Sequence, residues 1–81
     1  MEWYKEVVQE HEGRPRLRIV RHYGWENSRW YGIREEEYFT LEYEHSCYWE
    51  EWKEYPTEVR AEEAMDEWIA EVEAEEADEG E

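Results

Sequence analysis

A narrow apolar stripe runs through the acidic C-terminal segment of this chain. Between residues 58 and 76, apolar side chains recur at helical spacing, at Ala61, Met65, Trp68, Ile69 and Val72. Steps of three and four residues bring these side chains to one side of an α-helix, and that side needs a second layer to cover it. The spacing therefore predicts a helix over roughly 58–76 that packs on the rest of the chain.

The start of this helix is marked by local chemistry. Pro56 interrupts the preceding segment, and Thr57 has a side chain that is preferred at helix N-caps. Glu58 then lies in the first turn, where a negative charge is favourable. The final residues 77–81 (ADEGE) are predicted to fray as an acidic tail, so a single domain is expected over residues 1–76.

The second layer is predicted from two stretches in which apolar and polar residues alternate. In RLRIVRHY (16–23), Leu17 and Ile19 point to one side, and in EYFTLEYEH (37–45) Phe39, Leu41 and Tyr43 do so. Alternation with a period of two is typical of strands that bury one face. Further strands are predicted over 3–9, where a short helix is the alternative, over 29–34, and over 47–55, where an irregular aromatic segment is the alternative. Turns are predicted at HEGRP (11–15), GWENS (24–28) and HS (45–46).

These elements predict an α+β fold, a small antiparallel sheet of three to five strands with one C-terminal helix packed on one face. The helix stripe is expected to cover the apolar side of the sheet. The residues predicted to meet there are Met65, Trp68, Ile69 and Val72 from the helix, with Leu17, Ile19, Ile33, Phe39 and Leu41 from the strands.

The composition supports a folded domain with an acidic surface. Charged residues make up 42% of the 81 residues and the net charge is −16, which is typical of disorder, but 17% of the residues are aromatic. Cys47 is the only cysteine, so no internal disulfide points to secretion. No apolar run approaches the length of a signal peptide core or a membrane span, and a cytoplasmic protein is expected.

The acidity belongs to the second half of the chain. Residues 1–34 contain seven basic and five acidic residues, a net charge of +2, whereas residues 35–81 contain two basic and twenty acidic residues, a net charge of −18. Such a surface makes direct binding to nucleic acid or to an anionic membrane unfavourable. Neither is expected as a partner.

Motifs for catalysis or metal binding are weak. His45 and Cys47 could supply two metal ligands, but zinc normally needs four, so no metal and no cofactor are predicted. Twenty-five carboxylates offer no marker for a catalytic pair. The two serines, Ser28 and Ser46, lack the context of a triad, and the four glycines form no phosphate loop. The chain is therefore expected not to be an enzyme.

The basic stretch RPRLRIVRHYGWENSRWYGIR (14–34) resembles a nucleic-acid surface, with arginines for phosphates and aromatic rings for stacking. A structural interpretation is favoured instead. Arg16 and Arg18, on the outward face of a strand, can pair across the sheet with Glu42 and Glu44.

The acidic residues of the predicted helix lower its stability. Nine acids fall within 58–76, and five like-charge pairs lie four residues apart: Glu58/Glu62, Glu62/Asp66, Glu63/Glu67, Glu67/Glu71 and Glu71/Glu75. At roughly 0.2–0.5 kcal/mol each, these pairs destabilise the helix by on the order of 1–2.5 kcal/mol. A surface needed only for solubility would mix both signs. The excess therefore indicates another role.

Two explanations compete for this excess. Adaptation to high salt would screen the repulsion, but the chain has twenty-three Glu and only two Asp, whereas a salt-adapted chain is expected to use both. The other explanation is a strongly basic partner, because nine charges over a helix of about 28 Å give one per ~3 Å, near the ~3.4 Å spacing of phosphates along one DNA strand. The residues predicted to bind it are Glu58, Glu62, Glu63, Asp66, Glu67, Glu71, Glu35, Glu36, Glu37, Glu42, Glu44, Glu50 and Glu51.

A small, Glu-rich and aromatic-rich chain that ends in EEAMDEWIAEVEAEEADEGE resembles the inhibitors that phages encode against host defences, such as the anti-CRISPR proteins and DNA-mimic inhibitors. The likeness is one of size, charge and general style over most of the chain. A second stretch, YPTEVRAEEAMDEW, is similar to the sheet-to-helix passage of the small arm-binding domains of phage integrases, which are basic. That likeness implies a sheet followed by a helix.

The resemblance implies a non-enzymatic inhibitor that occupies the basic groove of a nucleic-acid-binding protein or complex, in the cytoplasm of the host cell. It is expected to act as a monomer or homodimer. The alternatives are a salt-adapted acidic domain and an antitoxin-like protein-interaction module.

Overall fold

Four antiparallel strands and one helix follow one another along the chain in the computed structural model, which describes residues 2–30 and 32–79. The elements are β1 (Glu2–His11), β2 (Leu17–Ser28), β3 (Gly32–His45), β4 (Tyr48–Tyr55) and α1 (Glu58–Glu79). Each strand pairs with its neighbour in sequence, in the order β1-β2-β3-β4, and the sheet stays open. The predicted α+β fold with one C-terminal helix on an antiparallel sheet is confirmed.

The predicted turn at GWENS (24–28) and the separate strand over 29–34 are wrong. β2 continues through Ser28, and the turn begins at Arg29 and Trp30. Gly24 serves strand pairing instead of a turn, because a Cβ at this position would lie 2.4 Å from the carbonyl oxygen of Glu2 on β1. A glycine lets the two strands approach closely there.

The other predicted turns agree with the structure. The HEGRP segment links β1 to β2 and contains a cis peptide bond between Arg14 and Pro15. Ser46 and Cys47 connect β3 to β4, and Ser46 adopts a positive φ of 60°. A left-handed residue is characteristic of tight hairpin connections.

The core lies between α1 and one face of the sheet. Its buried members are Leu17, Ile19, Phe39, Leu41, Ala61 and Met65. Trp68 and Ile69 are partly buried against this cluster, as the stripe predicted. Val72 is half-buried but lies outside the cluster.

The predicted place of Ile33 in the core is wrong. This side chain is 69% exposed. Ile33 pairs with Asn27 near the far end of the β2–β3 hairpin, whereas α1 packs on β3 around Phe39 and Leu41. Ile33 lies six positions before Phe39 along the strand, about 20 Å at ~3.4 Å per residue, so the helix does not cover it.

The helix boundaries follow the predicted signals closely. The Thr57 hydroxyl oxygen accepts the backbone N–H of Arg60 at 3.2 Å, which confirms the N-cap. The helix continues through Glu79, three residues beyond the predicted end. Residues 80–81 of the predicted tail lie outside the described residues.

The β2–β3 hairpin extends beyond the helix. We call residues 23–30 and 32–37 the distal arm; it adds to an elongated molecule of 63 × 25 × 15 Å. The arm exposes large apolar side chains, with Trp25 42% and Trp30 86% exposed. The second layer therefore covers only the part of the sheet nearest to α1.

Candidate acidic interface

The exposed surface of α1 is rich in carboxylates. Ala61 and Met65 are buried on the inner side, and the flanks and outer side of the helix carry exposed acids, which we call the helix acidic face: Glu63, Asp66, Glu67, Glu71 and Glu73. The helix contains eleven acidic residues, with Arg60 as its single base, and its last turn contains no base. Over 22 residues, or about 33 Å, the acids recur at roughly one per 3 Å.

Glu58 and Glu62, also predicted to bind the partner, lie at the edge of this face. Both are half-buried. The Gln9 side-chain amide of β1 donates a hydrogen bond to Glu62 Oε1. This contact fixes α1 against the sheet, so Glu62 has a structural role in addition to its charge.

The structure does not bring the seven predicted glutamates of the strands into one face with the helix. Leu41 and Tyr43 point toward α1, so the alternating Glu42 and Glu44 point to the opposite side of the sheet. The same alternation turns Glu36 away from α1, and Glu51 pairs with Glu42 on that side. Glu35 and Glu37 lie in the distal arm, and Glu50 accepts a hydrogen bond from the Tyr43 hydroxyl at 2.6 Å.

Arginines of β2 and the segment before it neutralise two of the acids on the uncovered side of the sheet. Arg18 binds Glu42 through two nitrogens, Nη2 at 2.7 Å and Nε at 2.9 Å. Arg16 Nη1 lies 2.7 Å from Glu44 Oε2. The predicted pairing of Arg16 and Arg18 with Glu42 and Glu44 is confirmed, and it accounts for these arginines without a nucleic acid.

Two more of the predicted glutamates have arginine partners in the distal arm or beside it. Arg21 Nη2 lies 2.6 Å from Glu37 Oε2, and Arg34 Nε lies 3.4 Å from Glu36 Oε1. These exposed pairs contribute little to stability, but they cancel charge locally. The uncancelled acidity of the described residues is therefore concentrated on α1.

The side of the sheet away from α1 contains a closed polar network. The Thr40 hydroxyl donates to Glu42 Oε2 at 3.3 Å, so its oxygen accepts the N–H of His22 Nε2 at 2.8 Å. Burial lowers the pKa of His22 below its ordinary value, and the nearby Lys5 ammonium lowers it further. Each buried polar side-chain atom in the described residues has a hydrogen-bond partner. This network links β2 to β3.

Sequence reasoning missed an aromatic groove between α1 and β4. Leu41, Trp52, Tyr55, Ala64, Glu67, Trp68 and Glu71 line it. Its formation depends on a bulge, because Leu41 pairs with Lys53 but the next residue, Glu42, pairs with Glu51. Trp52 is the extra residue of the bulge. No signal in the sequence marked this irregularity.

Within 2–30 and 32–79, no group of three His, Cys, Asp or Glu side chains is placed to hold a metal ion. His45 is the last residue of β3, and Cys47 lies in the turn that follows it and is exposed. In the same described part of the chain, no helix is long and apolar enough to cross a membrane.

Repulsion on the helix acidic face should make stability depend on salt. We expect the melting temperature to rise as NaCl increases from about 10 mM to about 300 mM, because the Debye length falls from ~30 Å to well under 10 Å. Differential scanning fluorimetry at constant pH measures this. A double Asp66→Asn/Glu67→Gln variant should show a smaller rise, since it removes charge from three like-charge pairs.

A melting temperature that falls with salt would contradict this expectation and would show that the attractive arginine pairs of the sheet dominate. A chain that folds only in molar salt would instead favour adaptation to a saline environment.

Comparison of this chain with models of known protein families, with curated proteins and with solved structures finds no significant match.

Proposed function

We propose that this protein is a non-enzymatic inhibitor that imitates a nucleic-acid backbone and occupies the basic groove of a nucleic-acid-binding complex, as anti-CRISPR and DNA-mimic inhibitors do. The observation that carries the proposal is the helix acidic face, an exposed row of carboxylates along α1 with no base in the last helical turn. The proposed target is a defence complex in the cytoplasm of a bacterial host.

The distribution of arginines supports this function. Four of the predicted glutamates on the sheet have an arginine within 3.4 Å, namely Glu36, Glu37, Glu42 and Glu44. No such ion pair forms on the described part of α1. Arginines thus balance part of the charge on the sheet, whereas the described part of α1 has no such balance, although the repulsion lowers helix stability by on the order of 1–2.5 kcal/mol.

The dimensions of α1 suit a groove that holds nucleic acid. Its 22 residues span about 33 Å, close to the ~34 Å of one turn of duplex DNA. Its acids recur at nearly the axial spacing of phosphates on one strand, ~3.4 Å. When α1 takes the place of such a strand, the lysines and arginines of the groove therefore meet carboxylates at intervals similar to those of phosphates.

Electrostatic attraction also determines how the association rate depends on salt. A surface of one sign attracts an oppositely charged groove over a distance, so association should be fast and should slow as salt rises. The same surface repels nucleic acid. The protein is therefore expected to compete with DNA or RNA for its target while binding neither.

A competition assay tests the proposal. Purified guide-loaded CRISPR effector complexes of several types are each mixed with fluorescent target DNA, and this protein is titrated in while anisotropy is read. We expect at least one complex to release its DNA, and the protein alone to leave the anisotropy of free DNA unchanged.

The control for general acidity is polyglutamate of equal total charge, which should require a much higher concentration to release the DNA. If no complex in the panel loses DNA, or if a complex binds the protein and its DNA together with unchanged affinities, the proposal is wrong. Binding by the protein to free DNA would overturn it as well.

A further inference from the structure

Three aromatic rings meet where α1 passes over the β3–β4 pair. The centroids of Trp52 and Trp68 are 5.2 Å apart, those of Tyr43 and Trp68 5.6 Å, and those of Tyr43 and Trp52 6.5 Å. Their planes are inclined to one another by 53–71°, so their faces point in different directions. Trp52 is 60% exposed, which leaves the cluster accessible from the groove.

Carboxylates line the same groove. Glu67 and Glu71 are one turn apart on α1 and line it together with Trp52, Trp68 and Tyr55. Aromatic faces attract cations through the ring quadrupole, and a carboxylate beside them adds charge attraction and a hydrogen-bond acceptor. Among the described lining residues there is no Lys or Arg. The groove therefore contains both the aromatic faces and the carboxylates that can bind a cation.

The molecule contains the same arrangement three times with an arginine in place, most loosely at Arg16, which lies 5.4 Å from the Trp49 centroid and pairs with Glu44. The guanidinium carbon of Arg18 lies 4.3 Å from the centroid of the Trp49 ring while its nitrogens bind Glu42. Arg21 repeats this with Tyr23 at 4.3 Å and the carboxylate of Glu37. An arginine that stacks on a ring and binds a carboxylate is thus a favourable contact in this fold.

We propose that the groove between α1 and β4 binds an arginine side chain of the basic partner, stacked on the exposed ring of Trp52, in contact with Trp68 and hydrogen-bonded to Glu67 and Glu71. The proposal rests on the proposed function for the identity of the partner, and the groove continues from the helix acidic face. Arginine suits it better than lysine because its planar group can stack and bind a carboxylate at the same time. The site would fix the position of the partner's basic surface, which the remaining acids attract by charge alone.

NMR of the indole N–H groups tests this site without any nucleic-acid-binding protein. The ligand is a short capped peptide with a single arginine, and the control peptide has citrulline, which has the same shape without the charge. We expect the Trp52 and Trp68 signals to shift with saturation at about millimolar peptide, as suits a contact of ~4 kcal/mol. Trp49 is an internal control, since Arg18 already covers it.

Two matched variants separate the site from general acidity. Glu67→Gln/Glu71→Gln should weaken peptide binding about tenfold, whereas Glu75→Gln/Glu76→Gln, with the same change in charge on the same helix, should leave it within twofold. Trp52→Ala should abolish the shift of Trp68, and it should fold because Trp52 is largely exposed.

The proposal is overturned if the citrulline peptide binds as well as the arginine peptide, if Trp49 shifts as much as Trp52, or if the two glutamine variants lose affinity equally. Saturable arginine binding with no loss of DNA in the effector panel would leave this site standing and the mimic function refuted. Loss of DNA in the effector panel without saturable arginine binding would refute this site and leave the mimic function standing.

Discussion

Truncation of Leu41 to alanine should lower the free energy of unfolding by about 2–5 kcal/mol, as large-to-small changes in a core do. Leu41 is 1% exposed and belongs to the cluster that joins β2 and β3 to α1. A chain of 81 residues buries a limited core, so a loss of this size is a large part of its total stability. Urea unfolding followed by circular dichroism measures the change.

Ile33→Ala is the matched control. The sequence predicts both residues in the core, but Ile33 is 69% exposed. Its truncation should change stability by less than about 0.5 kcal/mol, as expected at an exposed position. Equal losses in the two variants would show that the distal arm is covered in solution, for example by a second copy of the chain.

Charge reversal on the helix acidic face should weaken binding to the effector complex by about tenfold or more at low salt, since steering and attraction both act through this surface. The variant is Asp66→Lys/Glu73→Lys, at two exposed positions seven residues apart that do not line the aromatic groove. Its melting temperature should stay equal or rise, because the change relieves the repulsion between Asp66 and Glu62. Biolayer interferometry with the complex identified in the competition assay measures the affinity.

Glu12→Lys/Glu26→Lys changes the net charge by the same amount at two exposed positions away from α1. We expect this variant to keep its affinity within about threefold, because its substitutions affect only long-range attraction. Equal losses in both variants would mean that total charge, and no particular surface, drives association. A loss in neither would exclude the helix acidic face as the interface.

The fold was predictable where the pattern is local. Alternation in 16–23 and 37–45 placed Leu17, Ile19 and Leu41 on one side, and the helical spacing placed Met65 opposite them, all as observed. The pattern failed in the distal arm. There Gly24 has the chemistry of a turn, but a distant strand pairs with it, and pairing partners far apart in sequence are not visible in a local window.

The candidate interface was predictable only in part. The exposed acids of α1 follow from the narrow stripe, because a helix that buries one side exposes the other. The partners of the strand glutamates depend on the register between β2 and β3, which places Arg21 beside Glu37. The aromatic groove depends on a bulge at Trp52 and on how α1 packs on the sheet. Neither feature produces a periodic pattern in the sequence.

The open sheet also has a consequence for aggregation. β1 and β4 are edge strands, and each presents unpaired backbone groups on which a further strand could add. β4 would be a strong template because it is rich in aromatic residues, yet Glu50, Glu51, Lys53 and Glu54 interrupt them. Bringing two such edges together would place like charges side by side. We therefore expect the glutamates of β4 to oppose the joining of folded copies edge to edge into fibres.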